Sequence, residues 1–107
     1  MRVIVPEPND RYDFTKAMNY GKIVYLMDQA QNPFRDALME EYLRLLSEIE
    51  FDAEQDIVCM TGQNLVIAQL LAAVFQKYRS VRVLMFDARV ADYRLKVFKE
   101  VASVETA

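Results

Sequence analysis

Apolar and polar positions along the chain fall into blocks whose spacing alternates between strand and helix periods. Arg2-Val-Ile-Val5 reads as a short apolar strand, closed by Pro6 and Pro8, neither of which fits a central ladder. A polar turn follows, and residues 13–20 predict a short helix capped by Asp13 and stopped by Gly21. Residues 22–27 are a continuous apolar run of the kind found in a buried parallel strand. Asn32-Pro33 then opens a helix, with Asn32 as N-cap and Pro33 at the first helical position, where a missing N–H costs nothing. Its apolar residues Phe34, Leu38, Tyr42, Leu45, Leu46 and Ile49 recur at steps of three and four, so one face packs on a sheet. Glu40 and Arg44 are spaced to pair across one turn.

The centre of the chain is its most informative part. Asp56-Ile-Val-Cys-Met-Thr-Gly-Gln-Asn64 is a strand and tight turn, residues 65–75 form an apolar helix, and Val81-Arg-Val-Leu-Met-Phe-Asp87 is a strand again. A strand–helix–strand unit implies a right-handed crossover and a parallel sheet, with the Thr61–Asn64 turn at the carboxyl rim where open α/β sheets take ligands. Between residues 65 and 75 the only polar side chain is Gln69. A helix apolar on nearly every side must be covered on more than one side. Either the rest of the chain covers it, or Leu65, Val66, Gln69, Leu70, Ala73 and Val74 build a homodimer interface. Residues 93–97 alternate apolar and basic, which predicts an antiparallel edge strand in a hairpin, with a helix over 90–101 as the alternative. The expected fold is a single α/β domain over 1–107. It is a small Rossmann-like three-layer form with about four mainly parallel strands, a C-terminal antiparallel edge and a frayed tail at 102–107.

Composition narrows function mainly by exclusion. The chain is 107 residues long and 53% hydrophobic, enough for one core. No run of about 18 apolar residues occurs, so no membrane span is expected. The first residues lack a signal-peptide core, and the single Cys59 on a core strand has no disulfide partner; a cytoplasmic setting follows. There is no histidine, which removes the commonest general base and metal ligand. Walker A, G-x-G-x-x-G and G-x-S-x-G patterns are missing as well.

Charge is uneven beneath a net of −3: residues 1–76 hold six basic and twelve acidic side chains, residues 77–99 seven basic and two acidic. Such a run either solvates an edge or forms a basic patch, in which Arg82, Arg89, Arg94, Lys96 and Lys99 would meet nucleic acid. At the carboxyl rim, Thr61, Gly62, Gln63 and Asn64, with Asp28 and Asn32, are candidates to bind a phosphate or nucleotide at a helix N-terminus. The same turn residues serve equally well as a plain cap and turn. No cofactor is expected on the leading reading. On the alternative, Asp10, Asp28 and Asp87 would hold Mg²⁺ for phosphoester chemistry.

Several segments carry a resemblance: Asp10-Arg-Tyr-Asp-Phe14, Gly21-Lys-Ile-Val-Tyr-Leu26, Asn32-Pro-Phe34, Thr61-Gly62, and Val83-Leu-Met-Phe-Asp87 with Tyr93 ahead of a strand. Their order resembles that of short, largely uncharacterised α/β proteins encoded by bacteriophages, over nearly the whole chain. The resemblance implies a small phage accessory protein and brings no catalytic residue with it. Together with the missing catalytic motifs, it makes a non-enzymatic binding module with a host or viral protein partner the leading expectation.

Overall fold

In the computed structural model, which describes residues 1–101, the chain forms one five-stranded sheet and two α-helices. The strands are β1 (Arg2–Val5), β2 (Lys22–Tyr25), β3 (Ile57–Cys59), β4 (Ser80–Asp87) and β5 (Asp92–Lys99). The helices are α1 (Leu38–Glu48) and α2 (Asn64–Tyr78). Spatial order is β2-β1-β3-β4-β5, with the first four strands parallel and β5 antiparallel on β4. The hairpin therefore forms where the alternation placed it, and no helix runs through residues 92–99. The expected tail at 102–107 lies outside the described residues.

The chain leaves β1 in one lateral direction, to β2, and then returns past it to β3 and on to β4. Right-handed crossovers send those two movements over opposite faces of the sheet. Accordingly α1 and α2 share one face, where Leu38, Tyr42, Leu46, Val66, Leu70 and Val74 pack with Ile4, Val58, Val81 and Val83. The opposite face, built from Val3, Val5, Ile57, Cys59 and Leu84, is covered by Phe14, Ala17, Tyr20 and Tyr93. A four-residue 3-10 helix at Ala17–Tyr20 stands there, and the described residues place no α-helix on that side. One mostly parallel sheet with both helices on one face is thus the architecture, a thinner arrangement than three full layers.

Two helix starts differ from expectation. Asn32 does not cap α1. Its Oδ1 accepts the N–H of Phe34 at 3.0 Å, its carbonyl accepts the N–H of Arg35, and α1 begins only at Leu38. The Gln69 amide of α2 donates to the Pro33 carbonyl at 2.8 Å and fixes this double turn, leaving Phe34 80% exposed instead of on the buried stripe. Asp13 likewise closes a local turn with Thr15 rather than capping a helix. On α1 itself Arg44 pairs with Glu48 at 2.7 Å and lies 3.7 Å from Glu41, so Glu40 is not its partner.

Candidate functional site

Because β1 and β3 are neighbours whose chains leave in opposite directions, the crevice between their carboxyl ends is a topological switch point. A cleft of about 330 Å³ opens there, lined by Asn9, Arg11 and Tyr12 from the β1 loop and by Gly62 and Gln63 from the β3 loop. No side chain caps α2, whose first N–H groups therefore keep the positive end of the helix dipole. Gly62 adopts a left-handed conformation (φ +85°), and a Cβ added to it would meet nothing within 4 Å. The glycine answers to the turn, not to a close approach by neighbouring protein. Beside it Thr61 is buried, its hydroxyl without a hydrogen-bond partner.

The remaining residues of the expected ligand set lie elsewhere. Asn64 is the exposed first residue of α2, and Asn32 is spent in its own turn. Asp28 lines a separate cleft of about 490 Å³ at the end of β2, with Pro8, Tyr25, Leu26, Met27, Glu41 and Leu45. Asp10, Asp28 and Asp87 are not gathered: among the described residues no group of three or more His, Cys, Asp or Glu could hold a metal ion. β2 and β4, which deliver Asp28 and Asp87, are three strand positions apart, roughly 14 Å. Arg11, which the sequence pattern does not single out, is the cation at the switch-point cleft.

Most of the basic run is spent within the molecule. Asp87 accepts Arg89 at 3.0 Å and Arg94 at 3.1 Å. Those hydrogen bonds, Arg89's first, pull the Asp87 carboxyl down to about 2. Arg82 donates to the Glu54 carbonyl, Arg79 pairs with Glu100, and Lys77 reaches Ser47. Lys96 and Lys99 make no ion pair among the described residues.

The α2 residues expected at an interface separate in the same way. Val66, Leu70, Ala73 and Val74 are fully buried inside the protomer, because α1 flanks α2 and the sheet lies beneath both. Gln69 is tied to Pro33, and only Leu65 of that set is exposed. What α2 offers outward is Asn64, Leu65, Ala68, Ala72, Gln76 and Lys77.

A larger apolar exposure lies on the β4–β5 hairpin. Met85 (57%), Phe98 (45%), Phe86, Leu95 and Val97 are all exposed there. Register sets their faces: Val81 and Val83 belong to the helix-side core and pair with Phe98 and Lys96, so those two share that face, as do the paired Met85 and Arg94. Tyr93, Leu95 and Val97 belong to the opposite face with Phe86 and Leu84, and the Phe86 and Tyr93 rings meet edge to face at 5.5 Å. The alternation at residues 93–97 signalled an edge strand; it did not show that Tyr93 is buried while Leu95 and Val97 stay exposed.

A family model described as Phage Pam3 gp32-like protein matches residues 2–99. The chain belongs to that family. No curated protein and no solved structure matches it. The matched span of this phage gp32-like chain runs from the first residue of β1 to the last of β5. The hairpin thus lies within the matched span. No helix is long and apolar enough to cross a membrane among the described residues.

Proposed function

We propose that this phage protein is a non-enzymatic accessory module that docks a protein partner along the open edge of its sheet. The observation that carries this reading is the apolar exposure of the β4–β5 hairpin: Met85, Phe86, Leu95, Val97 and Phe98 all face solvent at one end of the sheet. They lie on both faces of the hairpin, Met85 and Phe98 on the helix side and Phe86, Leu95 and Val97 on the other, so a partner that follows the edge meets apolar side chains on either face. A cleft of about 540 Å³ at the hairpin tip, lined by Met85, Phe86, Asp87, Ala88, Arg89, Arg94, Leu95 and Lys96, gives an incoming side chain a place to seat. Arg89 and Arg94 share the single carboxylate of Asp87, so with Lys96 the tip keeps net positive charge, which favours an acidic partner.

The test is site-specific photocrosslinking in extracts of phage-infected cells, with the crosslinking amino acid at Leu95, at Phe98, or at the exposed Glu48 of α1 as control. Discrete adducts from the two β5 positions, competed by unlabelled protein, are the expected result. Adducts from the control alone, or none from the hairpin, contradict the reading.

A second reading is favoured by the switch-point cleft, where Arg11, the uncapped α2 N-terminus and the Tyr12 ring suit a small anionic ligand. Thermal shift against nucleotides and inorganic phosphate tests it. A rise in Tm that Arg11→Ala removes supports this reading, and a flat response across the panel ends it.

A further inference from the structure

We infer that the docked partner adds a sixth strand beside residues 95–99, presenting a carboxylate to Lys96 on one face and apolar side chains to Leu95 and Val97 on the other. The inference rests on the sheet edge being the docking surface, and it names the chemistry that this edge selects.

Which backbone groups of β5 are free follows from the ladder. The carbonyl of Leu84 accepts the N–H of Met60 beyond β3, at 2.8 Å, so Leu84 turns its peptide groups toward β3. Its neighbours alternate, and Val81, Val83 and Met85 turn theirs toward β5, where they oppose Phe98, Lys96 and Arg94. Tyr93, Leu95, Val97 and Lys99 therefore direct theirs away from the sheet. Two side-chain contacts agree with that parity: the Tyr20 hydroxyl donates to the Tyr93 carbonyl at 3.1 Å, and the Asp92 carboxylate accepts the Tyr93 N–H at 2.8 Å. The edge is thus closed by side chains at Tyr93. Among the described residues nothing closes it at Leu95 and Val97. A row of free N–H and C=O groups recognises an extended peptide, which nucleic acid does not supply.

Charge then selects among peptides. Lys96 is exposed, makes no ion pair among the described residues, and has Arg94 and Phe98 as its neighbours on the helix-side face. A second copy paired by a two-fold at residue 95 or 96 would oppose Lys96 to Arg94 or to another Lys96, and one at residue 97 would oppose it to Phe98, so none of these registers gives Lys96 a carboxylate. Lys96 favours instead a strand with a carboxylate at that position. On the other face Leu95 and Val97 offer apolar neighbours, so the selected segment alternates acidic and apolar residues over about four positions.

The experiment uses the full chain and labelled octapeptides read by fluorescence anisotropy. An alternating Glu–Val peptide is expected to bind at least tenfold more tightly than an alternating Lys–Val peptide, and Lys96→Glu is expected to reverse that order. N-methylation of either the valines or the glutamates, but not of both sets equally, is expected to abolish binding. Blocking by methylated valines means an antiparallel strand and by methylated glutamates a parallel one, because only one set turns its amides toward β5 in each case. Equal tolerance of both methylations overturns strand addition. So does tighter binding of a single-stranded oligonucleotide, or a dimer in which the Leu95 and Val97 amides are protected from exchange. If β5 crosslinks form in extracts while no peptide discriminates, this inference falls and the docking reading stands. If the crosslinks fail as well, both fall.

Discussion

Two buried side chains report on the interior. Cys59 is fully buried, and burial alone raises its thiol to about 12. The protonated thiol is expected to ignore a disulfide reagent in the native state and to react only as urea unfolds the chain; rapid labelling without denaturant would contradict this. Asp56 is buried beside the sheet, where it accepts Arg2 at 2.7 and 3.1 Å and the Asp52 N–H at 2.9 Å. Burial by itself would raise its pKa; the Arg2 hydrogen bonds and the Asp52 N–H outweigh that and hold it below the usual carboxylate range. Its contribution is therefore complete above the unfolded value of about 3.9 and is lost as pH falls through the lower folded value. Asp56→Asn is expected to lower stability by about 2–3 kcal/mol at pH 7 and to flatten the acid limb, as read from urea midpoints between pH 2 and 7. Asp87 makes a complementary case at the surface, where a carboxyl titration followed by NMR is expected to have its midpoint near 2.

At the scale of elements, the two glycines separate turn strain from steric contact. A Cβ on Gly21 (φ +154°) would lie 2.6 Å from the Met1 carbonyl oxygen, where β2 starts beside β1. Gly21→Ala is expected to cost about 2–3 kcal/mol, since the backbone must move. Gly62→Ala meets open space and is expected to cost about 1 kcal/mol, for the left-handed backbone alone. Equal losses in urea unfolding would contradict the distinction. Strand placement was readable in the chain because apolar runs of four to eight residues between Pro, Gly and polar clusters leave few options. The start of α1 was not readable. Asn32-Pro33 suits an N-cap and a side-chain turn equally well, and the deciding contact comes from Gln69, 36 residues further on. Nor could the apolar surplus of α2 show by itself which side α1 would cover.

Across the whole molecule, strand order decides what the rim can assemble. β1 lies between β2 and β3, so its loop meets the β3 loop, and Arg11 and Tyr12 join Gly62 and Gln63 while Asp28 and Asp87 are kept apart. Spacing along a chain does not reveal such neighbours. The Thr61–Asn64 turn stands at a helix start, as its glycine and the apolar run after it imply, but its companions come from the sheet order. The basic run shows the same limit, since its sign was legible while its internal partners Asp87, Glu54 and Glu100 were not. One end of the sheet is left with apolar side chains outward and peptide groups that no strand of this protein pairs among the described residues.

Amide hydrogen exchange along β5, with and without the alternating Glu–Val peptide, tests that feature most directly. In the protein alone, Leu95 and Val97 amides are expected to exchange fast while those of Lys96 and Phe98, which face β4, are protected. Saturating peptide is expected to protect Leu95 and Val97 as well. Uniform protection in the protein alone, or no change at those two amides when peptide is bound, would contradict an open, partner-accepting edge.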